Sequence, residues 1–196
     1  MLTRMKTAPL PEPVHSLALC AAETGWREGV FEAAAARLSM PVSSLRLQYP
    51  GGVKEVVDQF LRAVDTAMEQ HYTARIPPQR VRDRITAAVQ CRLEVMLPYR
   101  EASQRLVAFY AHPLHLGEAT RTLSRTVNRM WYLAGDTATD WNYYSKRLLL
   151  AGVYGSTLTV WLRDTSPNQW ESLAFLERRI DQVMQLQRLR RKKQSA

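Results

Sequence analysis

The stretch MWYLAGDTATDWNYYSKRLLLAGVYGSTLTVWLRD, Met130–Asp164, decides how this chain folds. Trp131 and Tyr132 close one helix, and Ala134-Gly135 is its stop, because glycine accepts the left-handed conformation that ends many helices. Asp136, Thr137, Thr139 and Asp140 are all N-cap residue types, so a second helix begins within that run. It is about 23 residues long, roughly 34 Å at 1.5 Å per residue. Leu148, Leu149, Leu150, Val153, Leu158, Val160 and Trp161 surround it on nearly all sides. Such a helix is expected at the centre of a bundle. Gly152 and Gly155 each cost about 1 kcal/mol relative to alanine in a helix interior. Close helix packing or room for a ligand would offset that cost. The segment is not read as a membrane span, which needs about 20 predominantly apolar residues. Lys146, Arg147 and Arg163 bound its apolar run, which also contains Thr157 and Thr159.

Outward from this stretch the chain reads as helical throughout. Residues 1–13, with Pro9, Pro11 and Pro13, form a loose tail. Helices are expected over Val14–Thr24, Glu28–Leu38 and Val42–Tyr49, with Gly25 and Ser39-Met40-Pro41 between them. Three short helices with a tight turn before the third outline a helix-turn-helix. Val53–Tyr72 is a longer amphipathic helix. Ile76-Pro77-Pro78 is a hinge, Gln79–Leu97 the next helix, and Pro98 its end. Tyr99–Tyr110 and Glu118–Leu133 follow, and Ser166-Pro167 starts a last helix to about Lys193. No segment sustains period-two alternation. The fold expected is all-α, of about nine helices in the counting of helical stretches, divided as 1–13 tail, 14–74 helix-turn-helix-like region, 75–165 core and 166–196 amphipathic basic helix.

At 196 residues and 22.5 kDa the chain is long enough to bury a full core. Cys20 and Cys91 are far apart and lack a metal or redox spacing, so both are read as buried thiols. The net charge of +9 points to an anionic partner, nucleic acid or a lipid surface. The first residues hold no apolar segment of signal-peptide type, which sets the expectation of a cytoplasmic or matrix-side protein.

No catalytic constellation can be assembled. His112 and His115 flank Pro113, with only Glu118 nearby, and read as surface or capping residues. There is no Glu-x-x-His, no phosphate-cradling glycine loop and no GxSxG elbow. The chain is therefore read as a binding protein, with no catalytic residue, no metal and no cofactor.

Two parts of the sequence resemble known families. Residues 17–60 look like the N-terminal domain of TetR-type regulators, with Ser39 at the usual Gly of the turn, Arg46 at the central Tyr, Tyr49 at the packing aromatic and Gly52 near the usual Lys. The Tyr and Lys that hold DNA phosphate in that family are absent, so no specific DNA binding is expected. Residues 126–181 resemble the ubiquinone-biosynthesis accessory family, the ninth Coq protein. The resemblance is carried by Trp131-Tyr132, Ala134-Gly135-Asp136, Thr139-Asp140, Tyr143-Tyr144, Lys146-Arg147 and Leu150-Ala151-Gly152-Val153-Tyr154. Asp164-Thr165-Ser166-Pro167 and Phe175–Asp181 extend it.

That resemblance implies a TetR-like fold that binds an isoprenoid quinone or its precursor, docks on membranes by its last helix and presents its cargo to a quinone-ring hydroxylase. It implies a place on the inner face of a bacterial membrane or on the matrix side in a mitochondrion. The family's partner-docking patch maps to Met130, Asp140, Tyr143 and Tyr144. For the lipid pocket the residues singled out are Leu148, Gly152, Leu158 and Trp161, with Leu93 and Met96 opposite. In the last helix, Trp170, Leu173, Phe175, Leu176 and Ile180 form an apolar stripe flanked by Arg178 and Arg179, the pattern of a helix lying on an anionic membrane. A TetR-type, ligand-responsive DNA-binding regulator is the alternative function. A homodimer through the last two helices is compatible with either.

Overall fold

The computed structural model describes residues 8–136 and 142–194. Among them run nine α-helices: α1 Val14–Thr24, α2 Gly29–Arg37, α3 Val42–Gln48, α4 Gly52–Thr73, α5 Val81–Met96, α6 Arg100–Tyr110, α7 Leu116–Leu133, α8 Asn142–Trp161 and α9 Trp170–Gln194. No strand occurs among the described residues. Short 3-10 turns at Leu97–Tyr99, Pro113–His115 and Pro167–Gln169 each carry a proline at their start. Proline supplies the fixed φ of a helical first turn and has no N–H to leave unpaired there.

The helix-turn-helix outline is present. Met40 N–H reaches back to Ala35 O at 3.0 Å across the turn. The turn needs a left-handed residue, and Ser39 supplies it with a φ of 52°. A side chain there costs about 1 kcal/mol that glycine would avoid. Tyr49 is buried and stacks at 6.3 Å on Phe31. This small three-helix unit is fixed to the rest of the molecule by Trp26. Its indole donates to Ala102 O at 2.9 Å and lies 5.2 Å from the Phe60 ring.

Beneath it, α4 packs along α5, and α7 and α8 close the bundle, with α9 folded back on α8. The core between them holds a charged pair. Asp65 of α4 and Arg92 of α5 are both buried and joined directly. Arg92 Nε also donates to Tyr154 Oη of α8 at 2.8 Å, and Thr126 Oγ1 of α7 donates to Asp65 at 2.9 Å. A buried charge persists only when paired and fully hydrogen-bonded. This network therefore fixes the mutual register of four helices. Nothing in the hydrophobic periodicity marks it.

The expectation that α8 is apolar and enclosed on all sides is not met. Leu150, Val153, Tyr154, Thr157 and Trp161 face the core, while Tyr144 and Leu148 on the opposite side are each 76% exposed. The two glycines do not mark close helix packing within the chain either. A Cβ added at Gly152 or Gly155 would meet nothing within 4 Å.

Candidate functional site

The end of α7 positions the site. Gly135 takes a φ of 80°, and its N–H bonds Tyr132 O at 2.9 Å while Asp136 N–H bonds Trp131 O at 3.0 Å. These are the two bonds of a Schellman turn, which a residue other than glycine would strain. The turn aims Trp131 and Asp136 at the start of α8. Trp131 Nε1 donates to Lys146 O at 3.3 Å, and Lys146 Nζ donates to Asp136 Oδ1 at 3.0 Å.

Below this turn lies a cavity of about 270 Å³. Its walls are Val81, Arg82 and Ile85 of α5, Trp131 of α7, Leu149, Leu150 and Val153 of α8, and Ile180, Val183 and Met184 of α9. Gly135, Asp136 and Lys146 complete the lining. The surface is mostly apolar, with polar groups confined to Arg82, Asp136 and Lys146. That composition, apolar walls with a few polar groups, is what small-molecule sites have. Its volume is at the low end of the usual range of about 300–1,000 Å³, enough for a ring or a short length of chain. Arg82 bridges to Asp181, which ties the α5 wall to the α9 wall.

A second cavity, of about 600 Å³, lies between α1, α2 and the start of α6. Glu23, Arg37, Arg100 and Glu101 line it with Cys20. Its mixed charges suit a solvated cleft better than an apolar ligand. No cluster of three metal-ligating side chains occurs among the described residues.

The residues singled out from sequence fall on several surfaces. None of Leu93, Met96, Leu148, Gly152, Leu158 and Trp161 lines the apolar cavity. Leu93, Met96 and Trp161 are core residues, Leu148 and Gly152 face outward, and Leu158 is half-buried. On α8 the lining residues are the immediate neighbours, Leu149 and Val153. A one-residue step turns a helical side chain by about 100°, given 3.6 residues per turn. That step separates the cavity from solvent. The walls contributed by α5 and α9 were legible as apolar stripes in sequence, but not as facing one another.

Of the docking patch, Tyr144 is exposed, whereas Met130 is fully buried in the core and cannot be touched by a partner. Asp140 and the Tyr143 side chain lie outside the described residues. Tyr132, absent from the sequence reading of the patch, is 78% exposed next to Trp131.

On α9, Leu176 and Ile180 turn inward, and Leu173 is half-buried. Trp170 is 58% exposed, and Arg178 and Arg179 are exposed beside Phe175, with the Arg179 guanidinium 4.8 Å from its ring centre. The outward surface of α9 is therefore narrower than the apolar stripe in the sequence. The corner that sets α9 against α8 is held by buried Asp164. Burial works against its charge, yet Ser166 and Ser172 donate from both hydroxyl and backbone and hold its carboxyl down at about 2. No helix among the described residues is long and apolar enough to cross a membrane.

On the N-terminal unit, Arg46 of α3 is paired with Glu28 at 2.6 Å and Glu32 at 2.9 Å and lies over the Phe31 ring. Lys54 pairs with Glu118 at 3.2 Å. The cations nearest a would-be DNA surface are neutralised by the protein's own acids.

Comparison with known proteins agrees with this division. Residues 116–187, which contribute α7, α8 and most of the described α9, match the family model for COQ9. The mitochondrial ubiquinone biosynthesis protein COQ9 of Rattus norvegicus is 35% identical over 99 residues, covering 50% of this chain and 32% of that protein. The Homo sapiens protein of the same name is 34% identical over 99 residues, 50% of this chain and 31% of its own length. The chain thus spans about a third of the length of the curated relatives it matches. In three dimensions it resembles a TetR transcriptional regulator from Nitrosomonas europaea, with a TM-score of 0.68 and 22% identity over 86% of this chain and 94% of that one. The fold is TetR-like, and the segment that resembles COQ9 is the one that supplies most of the cavity.

Proposed function

We propose that this chain is a non-catalytic, lipid-binding accessory protein of ubiquinone biosynthesis, which holds an isoprenoid quinone or its precursor and presents it to a ring hydroxylase. The observation that carries this reading is the apolar cavity between α5, α7, α8 and α9, three of whose four walls come from the segment matching COQ9. A head or short chain segment fits the cavity. A longer isoprenoid tail leaves it and requires a second apolar surface, a membrane or a partner.

The exposed aromatics at the α7–α8 junction, Tyr132 and Tyr144, are the surface on offer to the hydroxylase. Tyrosine supplies large contact area with a polar tip, which is why it is enriched at interfaces. Trp170, Phe175, Arg178 and Arg179 are the surface on offer to an anionic bilayer, with aromatic insertion beside basic charge. The mitochondrial relatives support a matrix-side location in a eukaryotic cell; in a bacterium the equivalent is the inner face of the membrane. DNA regulation is the weaker reading, because Arg46 and Lys54 are already paired within the chain.

Extraction of the purified chain and mass spectrometry of the extract tests the proposal. Recovery of a prenylated ring compound at near-stoichiometric yield is expected. A lipid-free protein that also fails to take up quinone from vesicles would overturn it.

A further inference from the structure

We propose that the cavity selects an amphiphile whose ring carries a free hydroxyl, with Asp136 and Arg82 as its specificity-determining residues; this rests on the lipid-binding reading above. The basis is two unspent polar atoms on one apolar site. Asp136 lines the cavity with its side chain only 9% exposed. Its Oδ1 is taken by Lys146, but its Oδ2 is buried with no hydrogen-bond partner among the described residues. The Arg147 guanidinium stands 3.6 Å from Oδ2, beyond hydrogen-bond reach. Arg82 also lines the cavity, and its Nε is buried without a hydrogen-bond partner, 3.7 Å from Asp83.

A buried acceptor and a buried donor left open beside one apolar cavity are costly in the empty state, and a ligand that satisfies both recovers that cost on binding. One hydroxyl can do so, because its O–H donates to the carboxylate while its oxygen lone pair accepts from the guanidinium. An oxidised quinone offers only acceptors and leaves Asp136 Oδ2 open. A fatty acid brings a second anion toward Asp136. A plain hydrocarbon satisfies neither atom. Ile85, Leu149, Val153 and Met184 then hold the ring and the first part of its tail. The site thereby favours the phenolic or reduced form of a ring lipid over its oxidised form.

The test is calorimetric titration of the delipidated full chain with para-nonylphenol, its O-methyl ether and nonyl-benzoquinone. The phenol is expected to bind about tenfold or more tightly than the other two, the worth of a hydrogen bond to a charged group. Asp136→Asn should weaken the phenol by about tenfold and leave the ether unchanged, with the helical circular dichroism intact. If that variant does not fold, the phenol-to-ether ratio on the unaltered chain decides the matter. Equal affinity for phenol and ether, both lost in Val153→Phe, would overturn the hydroxyl selectivity and leave the lipid-binding reading standing. Failure of all three probes to bind would overturn both.

Discussion

In the α2–α3 unit, Arg46 is satisfied twice over, by Glu28 and Glu32, at a surface where a DNA-binding protein would leave it free. At the cavity between α5 and α9 the reverse holds: Asp136 and Arg82 each keep a buried polar atom without a partner. Both regions belong to one TetR-like frame. The difference teaches that shape and chemistry separate. The N-terminal unit retains the packing of a DNA-binding motif, including the left-handed turn residue and the buried Tyr49, but its charges are turned on one another. The C-terminal helices retain capacity for a ligand. In between, the Asp65–Arg92 pair is buried and fully occupied, so it holds the frame and has nothing left to offer a ligand.

The largest expected effect distinguishes framework charge from surface charge. Arg92→Met leaves Asp65 buried without its main partner and should cost about 3 kcal/mol in urea unfolding, within the range for breaking a buried pair. Combining it with Asp65→Leu should recover much of the loss. A loss under about 1 kcal/mol would mean that the network is not what registers α4, α5, α7 and α8.

Next is the α8–α9 corner. The Asp164 carboxyl is held at about 2, below its ordinary value of 3.8. A depressed carboxyl stabilises the fold above its unfolded pKa and loses that contribution as pH falls through the folded value. Acid unfolding should therefore show about 2 kcal/mol of stability disappearing as pH falls from about 4 to about 2. Asp164→Asn should flatten that interval. An unchanged acid profile would remove Asp164 as the anchor of α9.

A third experiment separates the cavity from its neighbouring face. Val153→Phe should lower co-purified lipid by about tenfold, roughly 1.4 kcal/mol of binding, because the ring occupies the space a ligand needs. Gly152→Leu, one residue away on the exposed side, should leave lipid content as it was. Equal loss in both would move the site from the α5–α9 cavity to the outer face of α8. Removing α9 altogether is a poorer probe, since Ile180, Val183 and Met184 are cavity wall.

The smallest effect belongs to the N-terminal unit. Arg46→Ala breaks only exposed pairs, so thermal stability should move by no more than about 1 kcal/mol. Selection from random duplexes at physiological salt should enrich no sequence, with or without the substitution. Enrichment of one palindrome by the unaltered chain would erase the contrast between the two regions and restore the regulator reading.

The sequence alone determined the helical class, most helix ends to within two or three residues, the helix-turn-helix outline and the segment that resembles COQ9. Those features are local: Gly25 and Gly135 end helices through their own backbone freedom, proline opens the short turns, and apolar spacing marks each stripe. Tertiary structure alone decided which stripe faces which. It placed Leu149 and Val153, not Leu148 and Gly152, toward Ile85 and Met184. It put Met130 under the surface and Arg92 against Asp65, 27 residues away. The physical reason is that a cavity and a buried ion pair are relations between helices. The periodicity of one helix fixes the angle between its own side chains, but the direction of the whole helix is set by what it packs on.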